Sequence, residues 1–390
     1  MPMSSTAQVG IIGSGAMGAG IAQVAAEAGH PVQIYDNNPA ALERADASMR
    51  KLFARLVERG KRTEQQAEGV LGRITYVDGL LKLNSCALVI EAIVERLDVK
   101  QSVFEELSHV VSPSCVLATN TSSLSVSAIA ASAKTPEQVL GLHFFNPAPL
   151  MALVEVVPAA QTREGLAEEM SALMRNWGKL PVVAVDTPGF IVNRVARPYY
   201  SEALRLIDEG LAAPHEVDAA MEALGFRMGP FHLMDFIGHD VNFRVTESMF
   251  HAHWGEPRYR PSFAQKRLLD AGYLGRKVGR GFYRFDESRQ PIRPEIGLTA
   301  KQLTGLSDRI MAVLINEAYD ALHYGVASKE DIDLAMLKGV NYPNGLLAWS
   351  REIGLAKLVE RLDALYDHYR EGRYRASAAL RNAAQLAADA

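Results

Sequence analysis

The chain has 390 residues, with 41 Lys+Arg against 45 Asp+Glu and a formal net charge of −4. Hydrophobic residues make up 48% and charged residues 22%, a balance that excludes disorder as the main state and a collagen-like or coiled-coil rod. The length implies two or three domains. No basic excess exists to neutralise many phosphates, so no nucleic-acid partner is expected. Only Cys86 and Cys115 are present, which excludes a disulfide framework or a four-cysteine zinc site and fits a reducing cytoplasm. No metal is expected. Met1 to Ala7 lacks the charged and apolar regions of a secretory signal. No stretch approaches the ~20 apolar residues of a membrane span.

In chain order, Val9–Ile12 reads as a buried strand, Gly15–Gly29 as a helix and Val32–Tyr35 as a second strand. Pro39–Arg59 is a long amphipathic helix. Ala87–Ile90, Val116–Ala118, Val139–Leu142 and Val182–Val185 are further strands. Strands alternating with helices predict an α/β unit, a Rossmann-type doubly wound and mostly parallel sheet. After Asp186 helical periodicity dominates. Asp286–Leu298 carries Pro291 and Pro294 and reads as a linker.

The helical part repeats itself. Glu202–Met221 aligns with Glu317–Met336 at an offset of 115 residues, with identities at Glu202/Glu317, Ala203/Ala318, Gly210/Gly325, Ala212/Ala327, Asp218/Asp333, Ala220/Ala335 and Met221/Met336. The ungapped match predicts two related all-α domains. The expected organisation is residues 1–185 for the sheet domain, 186–285 for the first helical copy, 286–298 for the linker and 299–390 for the second copy.

Gly13-Ser14-Gly15-Ala16-Met17-Gly18 follows a strand and opens a helix, and Asp36 ends the next strand. That context makes a dinucleotide-binding fingerprint. Gly13 permits the tight turn, Gly15 lets backbone approach a pyrophosphate, and Gly18 allows close helix–strand packing. The helix N-terminus favours the diphosphate. Asp36 would accept ribose hydroxyls and repel a 2′-phosphate, so NAD is expected over NADP.

His143-Phe144-Phe145-Asn146-Pro147 follows a predicted strand, with Glu155 twelve residues on. A His held by a buried carboxylate is a general base of fixed tautomer, as alcohol oxidation requires. Spacing alone also allows a core histidine that never meets Glu155. Asn120-Thr121-Ser122-Ser123 follows a strand and faces either the ligand crevice or a helix as its cap. Asp186–Arg194 lies at the junction of the two parts, where Asn193 would reach a ligand or cap a helix.

Together these residues resemble the L-3-hydroxyacyl-CoA dehydrogenase family. The resemblance runs from Val9 to about Phe285. It includes Gly13–Gln23, Glu91-Ala92-Ile93-Val94-Glu95, Asn120–Leu124, Gly141–Pro147, Asp186–Arg194 and Leu274–Tyr283. It implies His143 as general acid/base with Glu155 as its orienting partner, and Ser122 and Asn193 as hydrogen-bonding residues for the substrate oxygens. It places Asn146, Glu95, Lys100 and Lys277 at the cofactor. The implied reaction is (3S)-3-hydroxyacyl-CoA + NAD⁺ to 3-oxoacyl-CoA + NADH + H⁺.

CoA phosphates call for a basic face, for which Arg55, Arg59, Lys61 and Arg62 are candidates beside the alternative of an ordinary solvated face. Asp308 stands at the position equivalent to Asn193, and no second fingerprint exists. The second copy is therefore expected to be structural, packed about a pseudo-twofold axis, or to shape the acyl pocket; a monomer with an internal pseudo-dimer and a homodimer both remain open. Val195–Arg205 and the chain length resemble the branch of phenylacetate breakdown, whose substrate, 3-hydroxyadipyl-CoA, ends in a carboxylate. Arg197, one turn after Asn193, would meet that carboxylate or form a structural salt bridge. The rivals are another hydroxy-acid dehydrogenase of gulonate type and a non-catalytic NAD-binding protein.

Overall fold

The computed structural model describes Ser4 and residues 6–389, in two compact units, Met1–Phe190 and Ile191–Ala390. The first unit holds strands β1 (Val9–Ile12), β2 (Val32–Tyr35), β3 (Ile74–Val77), β4 (Leu88–Glu91), β5 (Val116–Thr119), β6 (Val139–Phe144), β7 (Leu153–Pro158) and β8 (Leu180–Val183). They form one sheet in the order β3-β2-β1-β4-β5-β6-β7-β8. The first six run parallel, β7 is antiparallel to β6, and β8 is parallel to β7. β1, β4, β5 and β6 are buried along their whole length, as expected of parallel strands covered on both faces.

The helices of this unit are α1 (Ala16–Glu27), α2 (Pro39–Glu58), α3 (Glu64–Leu71), α4 (Leu97–Val110), α5 (Val126–Ala130) and α6 (Leu166–Asn176). Pro39 sits in the first turn of α2 behind an Asn38 cap, where its missing N–H costs nothing. The order in which the strands are laid down reverses between the parallel β1 and β4, so the crevice opens at the carboxyl ends of those strands.

Three sequence readings are corrected. β3 and β7 were not expected as strands. β3 is a short edge strand whose Thr75 is exposed, and in β7 a glutamate interrupts the apolar run. The last strand lies two residues earlier than Val182–Val185 because Pro181, which lacks an N–H, is tolerated on the sheet's edge.

The second unit is helical: α7 (Val192–Val195), α8 (Arg197–Asp208), α9 (Pro214–Glu222), α10 (Pro230–Ile237), α11 (His239–Ala252) and α12 (Phe263–Asp270), then α13 (Ala300–His323), α14 (Lys329–Gly339), α15 (Leu346–Ile353), α16 (Leu355–Tyr369) and α17 (Ala378–Ala388). The second series reproduces α8–α12 in order. Gly238 opens α11 and Gly354 opens α16, both at φ 99°, a backbone state that glycine adopts without strain. Asp218 accepts the amides of Phe231 and His232 at the start of α10, and Asp333 accepts those of Leu347 and Ala348 at the start of α15.

Between the copies the contact is reciprocal. Arg194 Nε donates to Glu317 at 2.8 Å, and Arg309 Nε donates to Glu202 at 2.6 Å. Tyr259 donates to Glu317 at 2.6 Å, and Tyr374 donates to Glu202 at 2.7 Å. Each pair of equivalents is 115 residues apart. Residue i meeting j while the equivalent of j meets the equivalent of i is the pattern of a twofold contact. The stretch read as a linker is fastened along α9. Arg293 pairs with Glu222 at 2.7 Å, and the amides of Gly297 and Leu298 donate to Glu216.

Candidate active site

The glycine turn after β1 has the geometry that the fingerprint calls for. Gly13 has φ 96°, and a Cβ there would lie 2.5 Å from the Ala92 carbonyl oxygen. A Cβ on Gly18 would meet the Gly13 carbonyl oxygen at 1.9 Å, so α1 packs on the turn only with glycine there. A Cβ on Gly15 would meet nothing within 4 Å, so this exposed residue leaves the α1 N-terminus clear for a diphosphate. Asp36 directly follows β2 and turns back on the loop. Its carboxylate accepts Ser14 N–H and Oγ–H, each at 2.8 Å, and the Asn38 amide at 2.9 Å. Burial alone would raise the Asp36 pKa, but these donors and Arg44 outweigh it and keep the group ionised below its ordinary range. Ala16 and Met17 form the first turn of α1. These residues fit a dinucleotide whose ribose hydroxyls meet a fixed negative charge.

At the ends of β4 and β5 a second polar group assembles. Glu95 accepts Thr121 Oγ1 at 2.5 Å, the Ser122 amide at 3.0 Å and Ser123 Oγ at 3.1 Å. Burial raises its pKa, but Lys100 and these donors outweigh that effect and leave the carboxyl below its ordinary value. Lys100 is 1% exposed, donates to Glu91 at 2.6 Å and lies 3.4 Å from Glu95. Its ammonium is thus enclosed by the carboxylates of Glu91 and Glu95. Asn120 Oδ1 accepts the Phe144 amide at 2.8 Å, tying the β5 end to the β6 end.

The His and Glu twelve residues apart do meet. β6 and β7 pair antiparallel with His143 directly opposite Glu155. His143 Nδ1 lies 2.6 Å from Glu155 Oε2. Glu155 is fully buried and His143 is 7% exposed. A carboxylate only accepts, so Nδ1 carries the hydrogen, and in the neutral form of the ring Nε2 keeps its lone pair. The rings of Phe145 and Phe190 stand 4.5 and 6.0 Å from the imidazole. Asn146 is exposed just past β6.

One anchor was missed by the sequence. Lys179, 6% exposed, donates to the carbonyls of Ala148 at 2.6 Å and Met151 at 2.9 Å, fastening the loop that follows the histidine. Its only sequence sign was a lysine entering an apolar strand. Asp186 caps α5 by accepting the Val126 amide at 2.9 Å and the Ser127 amide at 2.7 Å.

On the helical unit Asn193 lies half-buried on α7. Lys277 pairs with Asp240 at 2.5 Å. Arg55, Arg59 and Lys61 are exposed around the end of α2, whereas Arg62 is paired with Glu27 at 3.0 Å. Among the described residues no cluster of three or more His, Cys, Asp or Glu could hold a metal ion, and no helix is long and apolar enough to cross a membrane.

Comparison with known proteins agrees with this geometry. The family model "3-hydroxyacyl-CoA dehydrogenase, NAD binding domain" matches residues 8–187, and the model "3-hydroxyacyl-CoA dehydrogenase, C-terminal domain" matches 189–285 and again 306–388. The chain belongs to the 3-hydroxyacyl-CoA dehydrogenase family. It is thereby an oxidoreductase acting on a CH–OH group with NAD as cofactor. The 3-hydroxyadipyl-CoA dehydrogenase of Escherichia coli K12 is 41% identical, with 98% of each chain covered. A probable 3-hydroxybutyryl-CoA dehydrogenase of Bacillus subtilis is 41% identical over 72% of this chain and 98% of its own. A crystal structure described as the 3-hydroxybutyryl-CoA dehydrogenase of E. coli K12 superposes with a TM-score of 0.91 at 40% identity, covering 98% of this chain and 99% of that one.

Proposed function

We propose that this chain oxidises a (3S)-3-hydroxyacyl-CoA to the 3-oxoacyl-CoA, with His143 as the general base and Glu155 as its orienting partner. The observation that carries the reading is the 2.6 Å hydrogen bond between Nδ1 and the buried carboxylate, which leaves Nε2 to take the hydroxyl proton. NAD, when bound, accepts the hydride from C3. Glu155 stabilises the imidazolium that results, and the ion pair formed among aromatic rings is stronger than it would be in water. Ser122 and Asn193 are assigned to the substrate oxygens, where a donor favours developing negative charge. Asn146 and Glu95 are assigned to the cofactor, Glu95 through hydroxyls and an amide that it already holds in place. Lys277 has the same assignment through its family motif. Arg55, Arg59 and Lys61 offer positive charge to CoA phosphates.

The substrate is short-chain or dicarboxylic, in keeping with the names of the relatives. The reciprocal contact between the copies supports a monomer that carries its own pseudo-dimer, and the two buried free cysteines fit a cytoplasmic setting.

The test is NADH formation over a panel of 3-hydroxyacyl-CoAs, with wild type and His143→Gln. Turnover is expected to fall by about 10²–10⁴-fold in the variant while NAD affinity is kept. Near-normal turnover without His143 defeats the mechanism.

A further inference from the structure

Six arginines of the helical unit are buried: Arg194, Arg197, Arg205, Arg258, Arg309 and Arg373. Five have a carboxylate within ion-pair distance. Arg197 is the exception among the described residues. It is 3% exposed. Its Nη1 donates to Thr246 Oγ1 at 3.2 Å, its guanidinium lies 5.1 Å from the Tyr200 ring, and its Nε has no acceptor. The groups acting on its charge are the hydroxyls of Tyr200, Tyr342 and Tyr259, and burial lowers its pKa. Tyr342, from the second copy, is buried within electrostatic reach of it, and its Oη is also without a hydrogen-bond partner among the described residues. The structural salt bridge that the sequence left open is therefore absent among the described residues.

A buried guanidinium with no counter-ion is costly, and buried polar groups left unpaired call for an explanation. The scaffold does not require it, because the equivalent position of the second copy is Ala312, fully buried and apolar. The site also has a direction. Arg197 begins α8 one turn after Asn193 on α7, about 6 Å along the axis. Helical side chains lean as a rule toward the N-terminus, the side on which the turn of the residue assigned to the substrate oxygens lies. That separation is on the scale of a short acyl chain.

We propose that Arg197, with Tyr342 of the second copy, forms a carboxylate-binding site that selects 3-hydroxyacyl-CoAs whose acyl chain ends in a second carboxylate. A carboxylate supplies what both groups lack: acceptor oxygens for Nε–H and the Tyr342 O–H, and a negative charge for the guanidinium. The second helical copy thereby contributes to specificity as well as to packing. The inference rests on the dehydrogenase reading above and names its substrate class.

The experiment compares kcat/KM for 3-hydroxyadipyl-CoA and 3-hydroxybutyryl-CoA in wild type, Arg197→Leu, Arg197→Lys and Tyr342→Phe. Wild type is expected to favour the dicarboxylic substrate. Arg197→Leu is expected to lower the dicarboxylic-to-monocarboxylic ratio about 10–100-fold, the loss of charged hydrogen bonds, and Arg197→Lys to restore part of it. Tyr342→Phe is expected to lower the ratio about 3–10-fold, the loss of one hydrogen bond. This second variant decides the matter should Arg197→Leu not fold. A wild-type ratio below one, or variants that lower both substrates equally, overturns the site. No NADH from any 3-hydroxyacyl-CoA instead defeats the dehydrogenase reading.

Discussion

The first helical copy has Asn193, Arg197 and Thr246 where the second has Asp308, Ala312 and, in place of a polar hydroxyl, the apolar side chain of Leu362. Asp308 is paired with Arg361 at 2.5 Å, so the position assigned to a substrate donor in one copy is a local ion pair in the other. The first copy also continues into the turn Gly275–Gly281, beside which Asp235 accepts the amides of Phe282 and Tyr283. What the copies keep in common is the contact between them: Arg194, Glu202 and Tyr259 match Arg309, Glu317 and Tyr374. The features of packing are held in common and those assigned to ligand binding are not. A duplicated domain therefore needs to keep its partner contact, not its chemistry.

That contrast can be broken by substitution, beginning with the carboxylates of the shared contact. Glu317→Ala is expected to destabilise the folded chain by about 3–5 kcal/mol, because Arg194 then has no counter-ion in a buried setting; urea unfolding measures it. Glu202→Ala is expected to cost about as much: Arg309 keeps Glu209 at 2.8 Å, but the buried Arg205 loses its carboxylate. A much smaller loss for either variant would mean that these buried arginines do not need their carboxylates.

Asn193→Ala is expected to lower kcat by about 10²–10³-fold, the loss of one donor to a developing oxyanion. Asp308→Ala should leave kcat unchanged and cost at most about 1 kcal/mol, because its pair with Arg361 is partly exposed. A kcat loss in Asp308→Ala comparable to that in Asn193→Ala would remove the division between the copies.

A smaller effect concerns pH. Arg293 and the Gly229 amide outweigh burial and hold the Glu222 carboxyl below its ordinary value of 4.5. A depressed carboxyl contributes stability fully above that ordinary value and loses it as pH falls through the lower folded value. Arg293→Ala is therefore expected to flatten the acid side of the stability profile below about pH 4.5, read by thermal melts at stepped pH.

Much of this architecture was legible because local signals agreed with the fold. The glycine turn, Asp36 at a strand end and the helical repeat each have a pattern that one segment can hold. What was hidden depended on pairing. β7 was missed because Glu155 breaks its apolar run, and that glutamate is the hydrogen-bond partner of His143; the residue proposed to orient the histidine erased the signal of its own strand. Register decided whether His143 and Glu155 meet, and register is a property of two strands. The surroundings of Lys100 were hidden too, because a motif position says nothing of the carboxylates that enclose its ammonium. Arg197 was noticed, but its lack of a carboxylate was visible only once every neighbour was in place.

The reciprocal contact has a consequence for how such a chain diverges. In an assembly of identical subunits any substitution near the axis occurs on both sides at once, so a change useful on one side is imposed on the other. Joining the two halves in one polypeptide lifts that constraint. Tyr342 could then arise opposite Arg197 with no matching tyrosine elsewhere, and a symmetric ancestor could acquire a lopsided pocket without losing its interface.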